Sequence, residues 1–186
     1  MKKLTLFAIA ALAMAFVSCG NQNGNKTEKE PEQNTKDETV NPSTDQVTYI
    51  TYTNDKYGFS VEVPQGMIKK GELMGDEGTV YVVDEESGAF NSIGISGSKQ
   101  IFDEEYTPEK VRKDFEYWIE GKDVASMDCG DDYFTYTLKG EMLTEIYRHV
   151  YQGTKVAMVS IYYDEDHEEQ LGGEVAEHVL NSIQFN

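Results

Sequence analysis

The chain has 186 residues, with 16 Lys and Arg against 34 Asp and Glu, a formal charge of −18 at neutral pH. A field of that sign repels nucleic acid and anionic lipid surfaces, which argues against both as partners, and it attracts a basic protein, a cationic ligand or Ca²⁺. Only Cys19 and Cys129 carry thiols, so no disulfide framework holds the fold and an apolar core must.

The N-terminus begins Met1-Lys2-Lys3 and continues in an uncharged run from Leu4 to Val17. That run is shorter than the ~20 apolar residues a bilayer span needs, and it suits a signal-peptide core. Phe16-Val17-Ser18-Cys19 then resembles the lipobox of bacterial lipoproteins. The resemblance implies removal of residues 1–18 and acylation of Cys19. One acyl chain anchors marginally, at about 0.8 kcal/mol per buried CH₂, whereas two or three hold firmly. Gly20 after the cysteine, where Asp would signal inner-membrane retention, implies an outer-membrane address facing the periplasm or the cell surface. With Cys19 acylated, Cys129 has no partner in the chain.

Residues 19–46 comprise the lipidated cysteine and a polar linker. Gly20 to Gln46 is Asn, Gln, Gly, Lys, Glu, Thr and Pro with Val40 as its one sizeable apolar residue, too little to offset the entropy of ordering. As a coil it averages roughly 30 Å end to end, and fully stretched it reaches about 90 Å. A domain on such a tether stands off the membrane.

Residues 47–186 form a single domain. Val47 to Thr53 is β-branched and aromatic and predicts a strand. Asn54-Asp55-Lys56 turns the chain. Tyr57, Phe59, Val61 and Val63 alternate with Gly58, Ser60 and Glu62, a half-buried strand that Pro64 ends. Further strands are predicted over Lys70 to Met74, Thr79 to Asp84 and Ser92 to Ser96, with turns at Gly75 to Gly78 and Glu86 to Gly88. Thr107-Pro108-Glu109 opens a helix with a good N-cap, a proline at the first position and an acid at the positive end. Val111, Phe115, Trp118 and Ile119 form its apolar face, which places Trp118 in the core rather than against a ligand; Gly121 closes the helix. Val124 to Met127, Tyr133 to Leu138, Met142 to Tyr151 and Lys155 to Tyr163 follow as antiparallel hairpins. Val156 to Tyr163 has no polar face, so both sides of the sheet are covered near it. Leu171, Val175, Val179 and Leu180 lie on a last helix, opened near Asp164 or Asp166 and weakened by Gly172-Gly173, which leaves Gly173 as a second start. Ser182 to Phe185 reads as a closing strand.

The order is familiar at this point. Tyr52-Thr53-Asn54-Asp55-Lys56-Tyr57-Gly58-Phe59-Ser60-Val61-Glu62-Val63-Pro64 resembles the entry hairpin of PsbP-like domains, and Asn181-Ser182-Ile183-Gln184-Phe185 resembles their close. That superfamily holds an extrinsic photosystem II protein, a Ran-binding nuclear-import factor and many bacterial lipoproteins. The resemblance implies an α+β fold, an antiparallel sheet of about seven to nine strands with two main helices packed on it. It also implies use as a protein-binding platform, without common catalytic residues or cofactors.

No catalytic set emerges from the motifs. Asp164, Asp166 and Glu168 match positions 1, 3 and 5 of a Ca²⁺ loop, but Glu169 stands where Gly is needed and Val175 where the closing Glu is needed. They remain a weak Ca²⁺ candidate, and no other metal site is expected. His167-Glu168-Glu169-Gln170-Leu171 lacks the second His of a zinc-protease helix. Cys129 with His149 as base is a poor nucleophile pair, because Asp128, Asp131 and Asp132 raise a thiol pKa. Tyrosines crowd the C-terminal hairpins, and Tyr133, Tyr136, Tyr147, Tyr151 and Tyr163 are the candidate interaction surface, rigid rings beside acids. The reading is a tethered, non-enzymatic lipoprotein that binds a protein partner in the envelope, with small-ligand or glycan capture as the alternative and an enzyme third. Expressed in a Gram-negative bacterium, the full-length protein should enter the detergent phase on partitioning, and Cys19→Ser should move it to the aqueous phase. Partitioning that ignores the substitution contradicts the anchor.

Overall fold

The computed structural model describes residues 47–73 and 77–186. The leader, Cys19 and the linker lie outside the described residues, as do Met74 and the Gly75-Asp76 half of a predicted turn. Among the described residues ten strands form two antiparallel sheets. The N-terminal hairpin is β1 (Tyr49–Asn54) and β2 (Phe59–Pro64), and it pairs through β2 with β10 (Gln184–Phe185) as a three-stranded sheet. The main sheet has seven strands: β3 (Ile68–Leu73), β4 (Gly78–Val82), β5 (Ser92–Lys99), β6 (Val124–Cys129), β7 (Tyr133–Lys139), β8 (Thr144–Gln152) and β9 (Lys155–Tyr163). Their spatial order is β3-β4-β5-β9-β8-β7-β6. Helix α1 (Pro108–Ile119) crosses between the two halves of this sheet in sequence, and α2 (Glu168–Leu171) and α3 (Gly173–Asn181) follow β9. The expected antiparallel α+β fold is present, with the hairpin and the closing strand set apart in a sheet of their own.

Local chemistry explains the elements. At the β1–β2 turn the Tyr57 amide donates to Asn54 Oδ1 at 3.0 Å, and Gly58 (φ +67°) donates to the Asn54 carbonyl at 2.8 Å. The left-handed conformation there favours glycine. Thr107 caps α1, accepting from the Lys110 amide at 3.3 Å, with Pro108 next in the first turn. The last helical stretch is split. Asp164 caps a single 3-10 turn, α2 runs one turn, and α3 begins afresh at Gly173, the second of the two starts the sequence left open. A Cβ on Gly172 would lie 2.7 Å from the Glu168 carbonyl oxygen, so only glycine lets the chain bend there.

Two apolar clusters sit on opposite faces of the main sheet. On one face Ile93, Ile95, Val159 and Ile161 pack against Phe59, Val61 and Val63 of β2 and Leu171, Val179 and Leu180 of α2 and α3. On the other, Phe134, Tyr136, Tyr151 and Val156 pack under Val111 and Phe115 of α1. Strand β9 contributes to both, Ala157, Val159 and Ile161 to the first and Val156 and Met158 to the second, as its unbroken apolar sequence implies. Among the described residues no helix is long and apolar enough to cross a membrane.

Candidate functional site

The five candidate tyrosines do not form one surface. Tyr136 (0% exposed), Tyr151 (5%) and Tyr163 (7%) are core residues. The register places Tyr136, Tyr147 and Tyr151 on the α1 face, whereas Tyr163 points to the opposite core and Tyr133 to the side away from α1. Burial pushes the Tyr136 phenol up to about 12, and the Tyr151 phenol is also raised, by burial and then by Asp114, to which its hydroxyl donates at 3.3 Å. Tyr133 is half-buried, donates to Asp128 at 2.8 Å and lies beneath the Arg148 guanidinium, 4.3 Å from its ring centroid. Trp118 corrects the sequence reading in the other direction. It is 37% exposed at the flank of α1, with its ring edge-on to buried His149 at 4.9 Å.

The weak Ca²⁺ candidate does not assemble. Asp164 is taken up by local partners, accepting from Asn91 Nδ2 at 2.9 Å and facing His167 Nδ1 at 2.7 Å, while Asp166 and Glu168 are exposed. Its carboxyl is held below the usual range, first by the hydrogen bond from Asn91. Among the described residues no three His, Cys, Asp or Glu side chains group as metal ligands. The Cys129–His149 pair does not form either. Phe134 lies between them in register and stacks on His149 at 4.4 Å, and burial raises the Cys129 thiol pKa, with Asp128 and Asp131 adding to it.

A site emerges where α1 stops. Helix α1 covers β6 and β7 and reaches Val156 and Met158 of β9, but among the described residues the same face continues over β5 and β4 without a helix. There the inward-facing residues become small. Gly94, Ser96 and Ser160 floor a cleft of about 430 Å³ walled by Phe90, Leu143, Tyr162 and Val80. Its lining is mainly apolar and its volume falls in the range of ligand pockets, about 300–1,000 Å³. Gly94 keeps the floor flat, because a Cβ there would lie 2.6 Å from Ser160 Oγ.

The walls are held in place. Phe90 is 66% exposed, yet its loop is pinned at both ends. Asp84 Oδ1 accepts from the Glu86 and Ser87 amides at 2.8 and 2.7 Å, the Phe90 amide donates to the Ser87 carbonyl at 3.2 Å, and Asn91 and Asp164 exchange two hydrogen bonds. Leu143 sits in the β7–β8 turn, closed by the Gly140 amide donating to its carbonyl at 2.9 Å; Met142 beside it is 81% exposed. Tyr162 donates to the Tyr147 hydroxyl at 3.1 Å, and Tyr147 in turn donates to the Glu145 carboxylate. Burial and then that carboxylate raise the Tyr147 phenol pKa.

Tyr162, Phe90, Leu143 and Ser160 are not among the residues that the sequence alone singles out. The available signal was the change along one face, from Tyr151 and Val156 under α1 to Ser160, Gly94 and Ser96 beyond it. A second, acidic groove of about 540 Å³ lies across the molecule between β1, β2 and α3. Glu62, Glu174 and Glu177 line it, with His178 2.6 Å from Glu62 and stacked on Tyr49 at 3.8 Å.

No family model matches the sequence, and no curated protein matches it. The fold is PsbP-like. The solution structure of cyanobacterial PsbP (CyanoP) from Synechocystis sp. PCC 6803 aligns with a TM-score of 0.52 at 15% identity, over 77% of this chain and 96% of that one. The crystal structure of the Saccharomyces cerevisiae Ran-binding protein Mog1p gives 0.49 at 12% identity, over 75% and 96%. A crystal structure from Bacteroides thetaiotaomicron VPI-5482 gives 0.48 at 13%, over 73% and 48%. Identities this low speak for the fold alone.

His149 gives the site flank a titration signature. Burial pushes its pKa down to about 3, below the ordinary value of about 6.5. Between those values the unfolded chain binds a proton that the folded chain does not. Stability is therefore fully present above pH 6.5 and falls on acidification by about 1.4 kcal/mol per pH unit. Urea unfolding of the full-length protein from pH 7 to 5, above the carboxylate range, should show that slope, and His149→Phe should flatten it. An unchanged slope contradicts the neutral buried imidazole.

Proposed function

We propose that this chain is a lipid-anchored, non-enzymatic binding protein of the outer membrane that docks an envelope protein by an apolar side chain inserted in the Phe90–Leu143–Tyr162 cleft. The observation that carries the reading is an apolar cleft kept open by a pinned, two-thirds-exposed phenylalanine. A protein in water gains by collapsing such a surface, so a rigid one left open marks a place where something else is buried. The floor of Gly94 and Ser160 admits close approach, and Leu143 and Val80 add apolar wall. The leader and Cys19 support the anchor, and the polar linker supports presentation away from the lipid. The excess of acids favours a basic partner by steering its approach, an effect that salt weakens.

A second reading is capture of a small ligand or glycan in the same cleft, favoured by its size and by Tyr162 as a stacking ring with a hydroxyl at its tip. One variant separates the readings. Ser160→Phe fills the cleft from its floor. On the protein-binding reading, the variant loses at least tenfold of the partner recovered with wild type from solubilised envelopes, at unchanged circular dichroism. On the second reading, recovery is unchanged, and the variant loses the thermal shift that a panel of sugars and apolar small molecules gives wild type. Equal recovery and equal shifts would remove the cleft from both.

A further inference from the structure

Lys122 follows α1 and the left-handed Gly121 (φ +70°), in a turn where its amide donates to the Ile119 carbonyl at 3.0 Å. The chain offers 34 carboxylates, yet among the described residues none forms an ion pair with this ammonium. Instead Lys122 Nζ lies 5.6 Å from the ring centroid of Trp118, 5.2 Å from that of Tyr136 and 5.9 Å from that of Tyr147. All three fall within the ~6 Å reach over which an aromatic quadrupole attracts a cation.

The rings do not depend on the lysine for their positions. Tyr136 and Tyr147 are cross-strand partners stacked at 4.8 Å, and Tyr147 is tied to Glu145 and Tyr162 by its hydroxyl. Trp118 is fixed on α1 against His149. The box is therefore preorganised by core contacts, which is what a binding site requires. The Glu145 carboxylate behind Tyr147 adds negative potential of the sign a cation needs. One polar atom at this place has no partner: the Tyr136 hydroxyl is buried and unbonded.

We infer that Trp118, Tyr136 and Tyr147 form a binding site for an alkylammonium group, and that Lys122 fills it from within as a tethered competitor. This site is distinct from the apolar cleft and does not rest on the reading of that cleft. A tethered group acts at a millimolar effective concentration, so it keeps out weakly bound free cations and yields to a better cage ligand. Quaternary ammonium groups are the better ligands by chemistry, since they are larger, less hydrated and suited to aromatic cages. A partner's lysine side chain is the other source of the same group.

Trp118 is the single tryptophan of the sequence, so intrinsic fluorescence reads the site directly. Full-length wild type and Lys122→Ser are titrated with choline, with Nα-acetyl-lysine methylamide and with 3,3-dimethyl-1-butanol, the neutral isostere of choline. Lys122→Ser should respond saturably to at least one of the two cations, at a midpoint at least tenfold below that of wild type, and should ignore the neutral alcohol. A response to choline alone assigns the site to quaternary ammonium, and a response to the lysine amide assigns it to a side chain. The inference is overturned if neither cation gives a saturable response, if wild type responds at the same midpoint, or if the alcohol matches choline. NMR of the wild-type protein gives a second readout that needs no variant. The Lys122 ε-methylene protons, shifted by the rings, should move toward their free values as choline displaces the ammonium, and protons that stay in place at saturating choline overturn the inference as well.

Discussion

Helix α1 is too small for the sheet it covers. Its twelve residues extend about 18 Å and its width is about 10 Å, whereas seven strands at about 4.8 Å each present a face roughly 30 Å across. The opposite face has no such shortage, because β2, α2 and α3 share the cover. On the α1 face the covered half carries Phe134, Tyr136, Tyr151 and Val156, and the remainder carries Gly94, Ser96 and Ser160. Small residues lower the cost of exposure, and the pinned loop at Phe90 and the turn at Leu143 rise around them as walls. The cleft is thus a consequence of helix length, and the aromatic box at Trp118 marks the border where cover ends.

Much of this was legible in the sequence. The alternation of Phe59, Val61 and Val63 against Ser60 and Glu62 fixed a strand with one buried face, and Thr107-Pro108 marked the start of α1. The continuous apolar run of β9 required cover on both sides, and both clusters use it. The fold class followed from the element order and the two end motifs, and the alignment with cyanobacterial PsbP agrees with it.

The site was less legible, for reasons that lie in register and in loops. Period-2 alternation says which residues of one strand share a face, but it does not say how neighbouring strands align. Tyr151 opposes Val156, so Tyr163, seven positions on, points to the other core. No spacing rule within β8 or β9 contains that fact. Trp118 shares a helical stripe with Val111 and Phe115, yet at the C-terminal end of α1 the stripe passes the edge of the core and the ring stays partly in water. Phe90 ends a single 3-10 turn, and Leu143 and Lys122 lie in connecting segments, where periodicity carries no information and tertiary hydrogen bonds set direction.

The account joins a proposed tether at Cys19, a proposed polar linker and a domain whose open surface is apolar and rimmed by aromatics. Its central claim is that the uncovered half of the sheet is where the partner binds. In-cell photo-crosslinking tests this most directly, with benzoylphenylalanine placed singly at Leu143, at Phe90, and at Glu177 in the acidic groove on α3. The account predicts one shared adduct from positions 143 and 90 and none from 177; an adduct from 177 alone, or none from 143 and 90, would contradict it.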